Sequence, residues 1–174
     1  MIENYIPKVL TVDDNHDNNY LVRTYLKLGG IEAVMAESAH EALELIDKDH
    51  FSMFILDIMM SSMSGFELAV KIREIDKHKL TPIIFTTAIY NDESSIIKGY
   101  ELGAIDYLFK PVVKEILIQK VQFFLTLDKQ RQKIIDQRNK LIESQKLFLM
   151  WQTVLPTGFG RLICQVNLFI SQKR

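Results

Sequence analysis

Residues 103–111 read Gly-Ala-Ile-Asp-Tyr-Leu-Phe-Lys-Pro, and the order of residue types in that stretch points to a fold. Gly103 suits the turn that stops a helix. Ile105–Phe109 is a short apolar run of strand length, and Lys110-Pro111 closes it. The same grammar recurs upstream. Short apolar, β-branched runs stand at Lys8–Val12, Ile31–Ala36, Met53–Leu56 and Pro82–Thr87. They are nearly continuous in hydrophobicity rather than alternating, as in parallel strands covered on both faces.

Segments of helical period lie between the runs. Leu21, Tyr25 and Leu28 recur at i, i+4 and i+7, as do Leu68, Ile72 and Ile75. Ser38-x-x-Glu41 and Ser64-x-x-Glu67 carry the capping-box pattern of a helix start, and Gly29-Gly30 follows the first helix. Five strand–helix units predict an α/β fold with a doubly wound parallel sheet and right-handed crossovers. In such sheets ligands bind at the carboxyl ends of the strands.

Composition agrees with a folded domain. The chain has 174 residues, 48% hydrophobic and 25% charged, too apolar for disorder. A single cysteine, Cys164, excludes an internal disulfide framework and a cysteine-based zinc site. No secretory signal and no uninterrupted apolar stretch of spanning length is visible, so a soluble cytoplasmic protein is expected. Charge divides the chain. Residues 1–111 carry 10 Lys/Arg against 18 Asp/Glu, and residues 112–174 carry 11 against 4.

From Pro111 the pattern becomes one long helix with no Gly or Pro before Pro156. Leu127, Ile134, Leu141 and Phe148 recur every seven residues, beside Ile135, Ile142 and Leu149. Arg131, Arg138 and Gln145 occupy the companion seam positions, so pairing with a second copy is expected to be weak. Packing back on the domain, or a basic face on a membrane or nucleic acid, are the alternatives. The expected organisation is a domain at 1–125, a coiled-coil-like helical extension at 126–150 and a short apolar tail at 151–174.

The expected strand ends hold the reactive groups: Asp13-Asp14 after the first strand, Asp57 after the third, Thr87 at the fourth and Lys110 at the fifth. Three carboxylates at one sheet edge repel one another unless a cation intervenes. An all-oxygen donor set suits Mg²⁺, and a lysine and a hydroxyl add a charge and a donor for a phosphoryl group. The edge therefore reads as phosphoryl transfer onto a carboxylate.

Val12-Asp13-Asp14, Leu56-Asp57 with Met59-Met60, Thr87-Ala88 and Gly103–Pro111, in that order, resemble a response-regulator receiver domain of two-component phosphorelays. The resemblance covers roughly residues 6–125. It implies a flavodoxin-like (βα)5 sheet of order 2-1-3-4-5 and Asp57 as acceptor of a phosphoryl group from a histidine kinase or phosphotransfer protein. It further implies Asp14 as direct Mg²⁺ ligand, Asp13 assisting, and the Met59 carbonyl as a further ligand. Lys110 would pair with the phosphoryl oxygens, Thr87 would hydrogen-bond to them, and Tyr107 would be the aromatic switch that swings inward. Pro111 would follow a cis peptide. Such a protein catalyses its own aspartyl phosphorylation and dephosphorylation without conventional turnover.

One departure stands out. The family usually carries proline four residues after the acceptor, where this chain has Ser61, implying a freer loop or an altered phosphoryl lifetime. Thr86 precedes Thr87, so two hydroxyls compete for the phosphoryl contact, and Thr87 is preferred because it directly precedes Ala88. Asp13 and Asp14 could instead cap the first helix. Tyr107 could be a core aromatic. The four histidines, His16, His40, His50 and His78, have no ligand spacing and are expected at the surface. The Met59, Met60 and Met63 cluster is expected to pack the loop.

The competing function is a phosphorylation-independent dimerisation scaffold on the same fold. A phosphatase using an aspartate nucleophile would want an acid where Met59 stands. Direct nucleic-acid binding is not expected, because no helix-turn-helix length follows.

Overall fold

The computed structural model describes residues 6–88, 97 and 99–151, together with the backbone of 152–154. The apolar tail beyond these residues, with Cys164, lies outside them. Five strands form one sheet: β1 (Lys8–Val12), β2 (Glu32–Ala36), β3 (Met53–Asp57), β4 (Ile83–Thr87) and β5 (Asp106–Phe109). Their order is β2-β1-β3-β4-β5 and every pairing is parallel. The expected fold and strand order are those observed.

The strands are apolar on both faces because both faces are covered. Leu10, Val12, Phe54, Leu56, Ile83, Phe85 and Tyr107 join one core with residues of α2 (Ala39–Lys48) and α3 (Gly65–Glu74). The alternate residues Val9, Met53, Ile55, Ile84 and Leu108 join the other with α1 (His16–Leu28) and the C-terminal helix (Lys114–Val154). Alternation between the two clusters follows the two-residue period of a strand. Full burial of each such aliphatic side chain contributes roughly 1.5–3 kcal/mol.

Local signals set the helix ends. Ser64 and Glu67 form the complete reciprocal capping box. At α2 only half of the pattern forms: Ser38 accepts from the Glu41 amide, while the Glu41 carboxylate accepts from Glu37 N–H instead. Gly30 and Gly103 adopt the positive φ expected of helix-stopping glycines, 70° and 79°. The Lys110–Pro111 bond is cis. Near the end of α3, Arg73 donates to the carbonyls of His78 (3.3 Å), Thr81 (2.8 Å) and Gly103 (2.9 Å), joining the entries of β4 and β5.

Two sequence readings need correction. The inward residues of α1 are Asn19, Val22 and Leu26, whereas Leu21 and Leu28 are 43% and 71% exposed. Asn19 tolerates burial because its amide is satisfied: it accepts from Thr11 Oγ1 at 2.6 Å and donates to the carbonyls of Ala36 at 2.7 Å and Asp13 at 3.4 Å. His78, expected at the surface, is wholly buried in the 3₁₀ turn Asp76–His78. It is enclosed by Phe51, Phe54 and the exposed His50.

The described residues divide into two units between Gln130 and Arg131. In the first, Leu117, Val121 and Leu125 seat the C-terminal helix on the sheet, spaced by four. In the second, the helical residues are mostly exposed, with Ile134 at 65% and Leu141 at 60%, and Lys140 pairs with Asp136 at 2.8 Å.

Candidate functional site

The residue that caps α1 is Asn15, whose side chain accepts from the Asn18 amide at 3.0 Å. Asp13 and Asp14 are thereby released from capping. Asp13 is 5% exposed and turned to the sheet edge: its Oδ1 accepts from Asn15 N–H at 2.9 Å, and its own N–H donates to Ala36. The Asn19 bonds to Asp13 and Ala36 fasten this turn from below.

Asp57 ends β3 and is 6% exposed. Lys110, carried by the end of β5, places Nζ 2.8 Å from Asp13 Oδ2 and 3.0 Å from Asp57 Oδ1. One ammonium thus joins two buried carboxylates. Burial alone would lower the Lys110 pKa, but its hydrogen bonds and the charges of both aspartates raise it above the ordinary value. For Asp57, burial prevails over the opposing pull of Lys110 and holds the carboxyl above its ordinary range.

Ligand-capable atoms of Asp13, Asp14 and Asp57 all lie within 4.8 Å of one another. Three carboxylates and one ammonium leave an excess of two negative charges when all are ionised, the charge a divalent cation supplies. The donors are all hard oxygens and Asp14 is open to solvent, so the residues fit Mg²⁺, which retains waters when bound.

Of the two adjacent threonines, Thr86 is the one whose hydroxyl lies against Asp57, 3.4 Å from Oδ1. The β3–β4 register pairs Asp57 with Thr86, which puts their side chains on one face. Thr87 is buried beside Phe109 in the β5 register, and its carbonyl accepts from Lys110 N–H at 2.7 Å. Tyr107 is 6% exposed, tilted against Phe85 at 5.8 Å and edge-on to Tyr100 at 5.4 Å. Met59 presents an exposed side chain, whereas Met60 and Met63 pack on the core.

Three contributors were not given their place by the sequence. Thr86, ranked there behind Thr87, is one. Gly65 is another, since a β-carbon there would lie 2.2 Å from the Asp57 carbonyl oxygen, so α3 begins directly against the acidic residue. The third is the main-chain N–H of Ser61, which donates to Asp14 Oδ2 at 2.7 Å.

A parallel sheet of this order, with these aspartates and a lysine at its carboxyl edge, defines a class. The response regulator receiver domain model matches residues 9–122, and the chain belongs to that family. It is a receiver domain of a two-component response regulator. The transcriptional regulatory protein SrrA of Staphylococcus aureus is 35% identical over 118 residues, which cover 68% of this chain and 47% of SrrA. The chain spans about half the length of the curated relatives it matches. The chemotaxis protein CheY4 of Vibrio cholerae superimposes with a TM-score of 0.66 at 32% identity, over 69% of this chain and 99% of that one. The BeF3-activated DrrB receiver domain gives 0.63 at 30% identity, over 70% and 99%.

Proposed function

We propose that Asp57 accepts a phosphoryl group from a cognate histidine kinase or phosphotransfer protein, in a Mg²⁺-dependent reaction in the cytoplasm. The observation that carries this reading is a buried Asp57 bonded to Lys110, with Asp13 and Asp14 within ligand distance of it. An Asp57 oxygen attacks phosphorus as the donor's P–N bond breaks and its electron pair returns to the imidazole. Lys110 then follows the charge from the Asp57 carboxylate onto the phosphoryl oxygens. Asp13, Asp14, Asp57 and the Met59 carbonyl would hold the cation, which when bound neutralises charge on the phosphoryl oxygens. Attack by water later restores the Asp57 carboxylate and releases phosphate, so the domain catalyses both halves of its own cycle.

Thr87 hydrogen-bonds to the new phosphoryl group, and its movement governs Tyr107, the aromatic switch expected to swing inward, whose ring is already buried in this structure. The buried Tyr107, which also lines a groove of ≈ 570 Å³ with Tyr100, Phe109 and Ile116, supports this readout. The output is a change of self-association, with residues 1–125 as switch and the helix of 126–150 as the pairing element of a homodimer. The exposed Leu127, Ile134, Leu141 and Phe148 support that role.

The test is transfer from a phosphorylated kinase or acetyl phosphate with Mg²⁺. Acid-labile label is expected on the wild-type chain and none on Asp57→Asn; label retained on that variant overturns the assignment. Light scattering with and without beryllofluoride then reads self-association, and an unchanged mass overturns that output.

A further inference from the structure

The loop between β3 and α3 is fastened to the acidic cluster by a bond that proline at position 61 could not make, because proline has no N–H. Ser61 N–H donates to Asp14 Oδ2 at 2.7 Å, near the short end for such a bond. The loop is anchored on both sides of that point. Ile58 N–H donates to Thr86, Gly65 N–H donates to Ile58, and Met60 and Met63 pack on the core. Ser61 is therefore presented from a held position despite lacking the ring that usually stiffens this loop.

The three aspartates are held differently. Asp13 and Asp57 are buried and share Lys110, but Asp14 is exposed. An exposed aspartate samples several rotamers, and a cation that needs it must order it first. Resting on the receiver reading above, we infer that the main-chain N–H of Ser61 is a positioning group that holds Asp14 ready for the divalent cation. It bonds one oxygen and leaves the other, with the remaining lone pair of the first, directed by a fixed carboxylate plane. Outer-shell partners of this kind, when removed, cost about 10–100-fold in metal affinity. The effect belongs to cation binding, not to phosphoryl transfer once the cation is bound.

Calorimetric titration with Mg²⁺ alone, on the full chain, tests this directly. Ser61→Ala keeps the N–H and should bind Mg²⁺ as the wild type does. Ser61→Pro removes it and should bind about tenfold more weakly. Equal affinity in Ser61→Pro and wild type overturns the inference, as does Ser61→Ala matching Ser61→Pro. A wild-type chain that binds no Mg²⁺ overturns the proposed Mg²⁺-dependent reading of the site, a different result from unchanged binding in the variant. Should Ser61→Pro not fold, amide exchange decides: the Ser61 amide should be protected in the wild type and exchange faster in Asp14→Ala. Equal exchange in the two overturns the inference.

Discussion

The phenol oxygen of Tyr107 occupies the space that a β-carbon on Gly99 would need: such a carbon would lie 1.8 Å from Oη and 2.9 Å from Cζ. Gly99 is buried and its backbone hydrogen-bonds the phenol, so the inward position of Tyr107 depends on a missing side chain. Gly99→Ala should cost about 1–3 kcal/mol as overpacking, or drive the ring outward. Burial raises the Tyr107 pKa, so an expelled ring should titrate lower, read as the ultraviolet difference from a Tyr107→Phe chain. Combining Gly99→Ala with Tyr107→Phe should cost less than the sum of the two changes.

His78 should make the domain acid-labile. Its Nδ1 faces Thr81 Oγ1 at 3.2 Å, Nε2 has no hydrogen-bond partner among the described residues, and burial, aided by the charge of His50, lowers its pKa to about 4. The folded value lies below the unfolded one, so the neutral form is favoured on folding. Its stabilising contribution is complete above about pH 6.5 and is lost as pH falls toward 4, a difference of about 2–3 kcal/mol. Urea unfolding between those pH values should show a shallower slope in His78→Phe than in the wild type.

Lys110→Ala should lower stability by about 2 kcal/mol in Mg²⁺-free buffer, because Asp13 and Asp57 lose the cation they share in a buried setting. Millimolar Mg²⁺ should restore part of that loss by binding the folded state. Thermal melts with and without Mg²⁺ measure both effects.

Gly65→Ala places a carbon against main-chain atoms of Asp57, so α3 must shift. A loss of about 2–3 kcal/mol and slower phosphoryl acceptance are expected. Ser64→Ala one residue earlier removes the cap at about 1 kcal/mol and should leave acceptance near wild type.

The sheet was legible because strands covered on both sides must be continuously apolar, and parallel topology alone brings the ends of β1, β3 and β5 to one edge. Asp13, Asp57 and Lys110 follow from that, as does Asp14. The choice of cap at α1 was not legible, since Asp13, Asp14 and Asn15 are all competent and only the chain direction selects Asn15. Nor could the stripe of α1 be read from hydrophobicity, because its deepest member is an asparagine satisfied by three separate segments. The proximity of Thr86 to Asp57 needed the β3–β4 register, which a sequence does not carry. Gly65 and Gly99 matter through contacts with residues 8 positions away, across turns whose geometry is decided only on folding.

Arg73 gives the sheet an asymmetry along its strands. Its three acceptors are neutral carbonyls at the entries of β4 and β5, while the exits of the same strands carry Thr87 and Lys110. Each strand is therefore a cantilever: clamped at one end by bonds indifferent to local charge, loaded at the other by groups that respond to it. Displacement provoked at Asp57 should be largest at Thr87 and Phe109 and decay toward Ile83 and Asp106, so the far rim of the sheet stays still while the near rim bends.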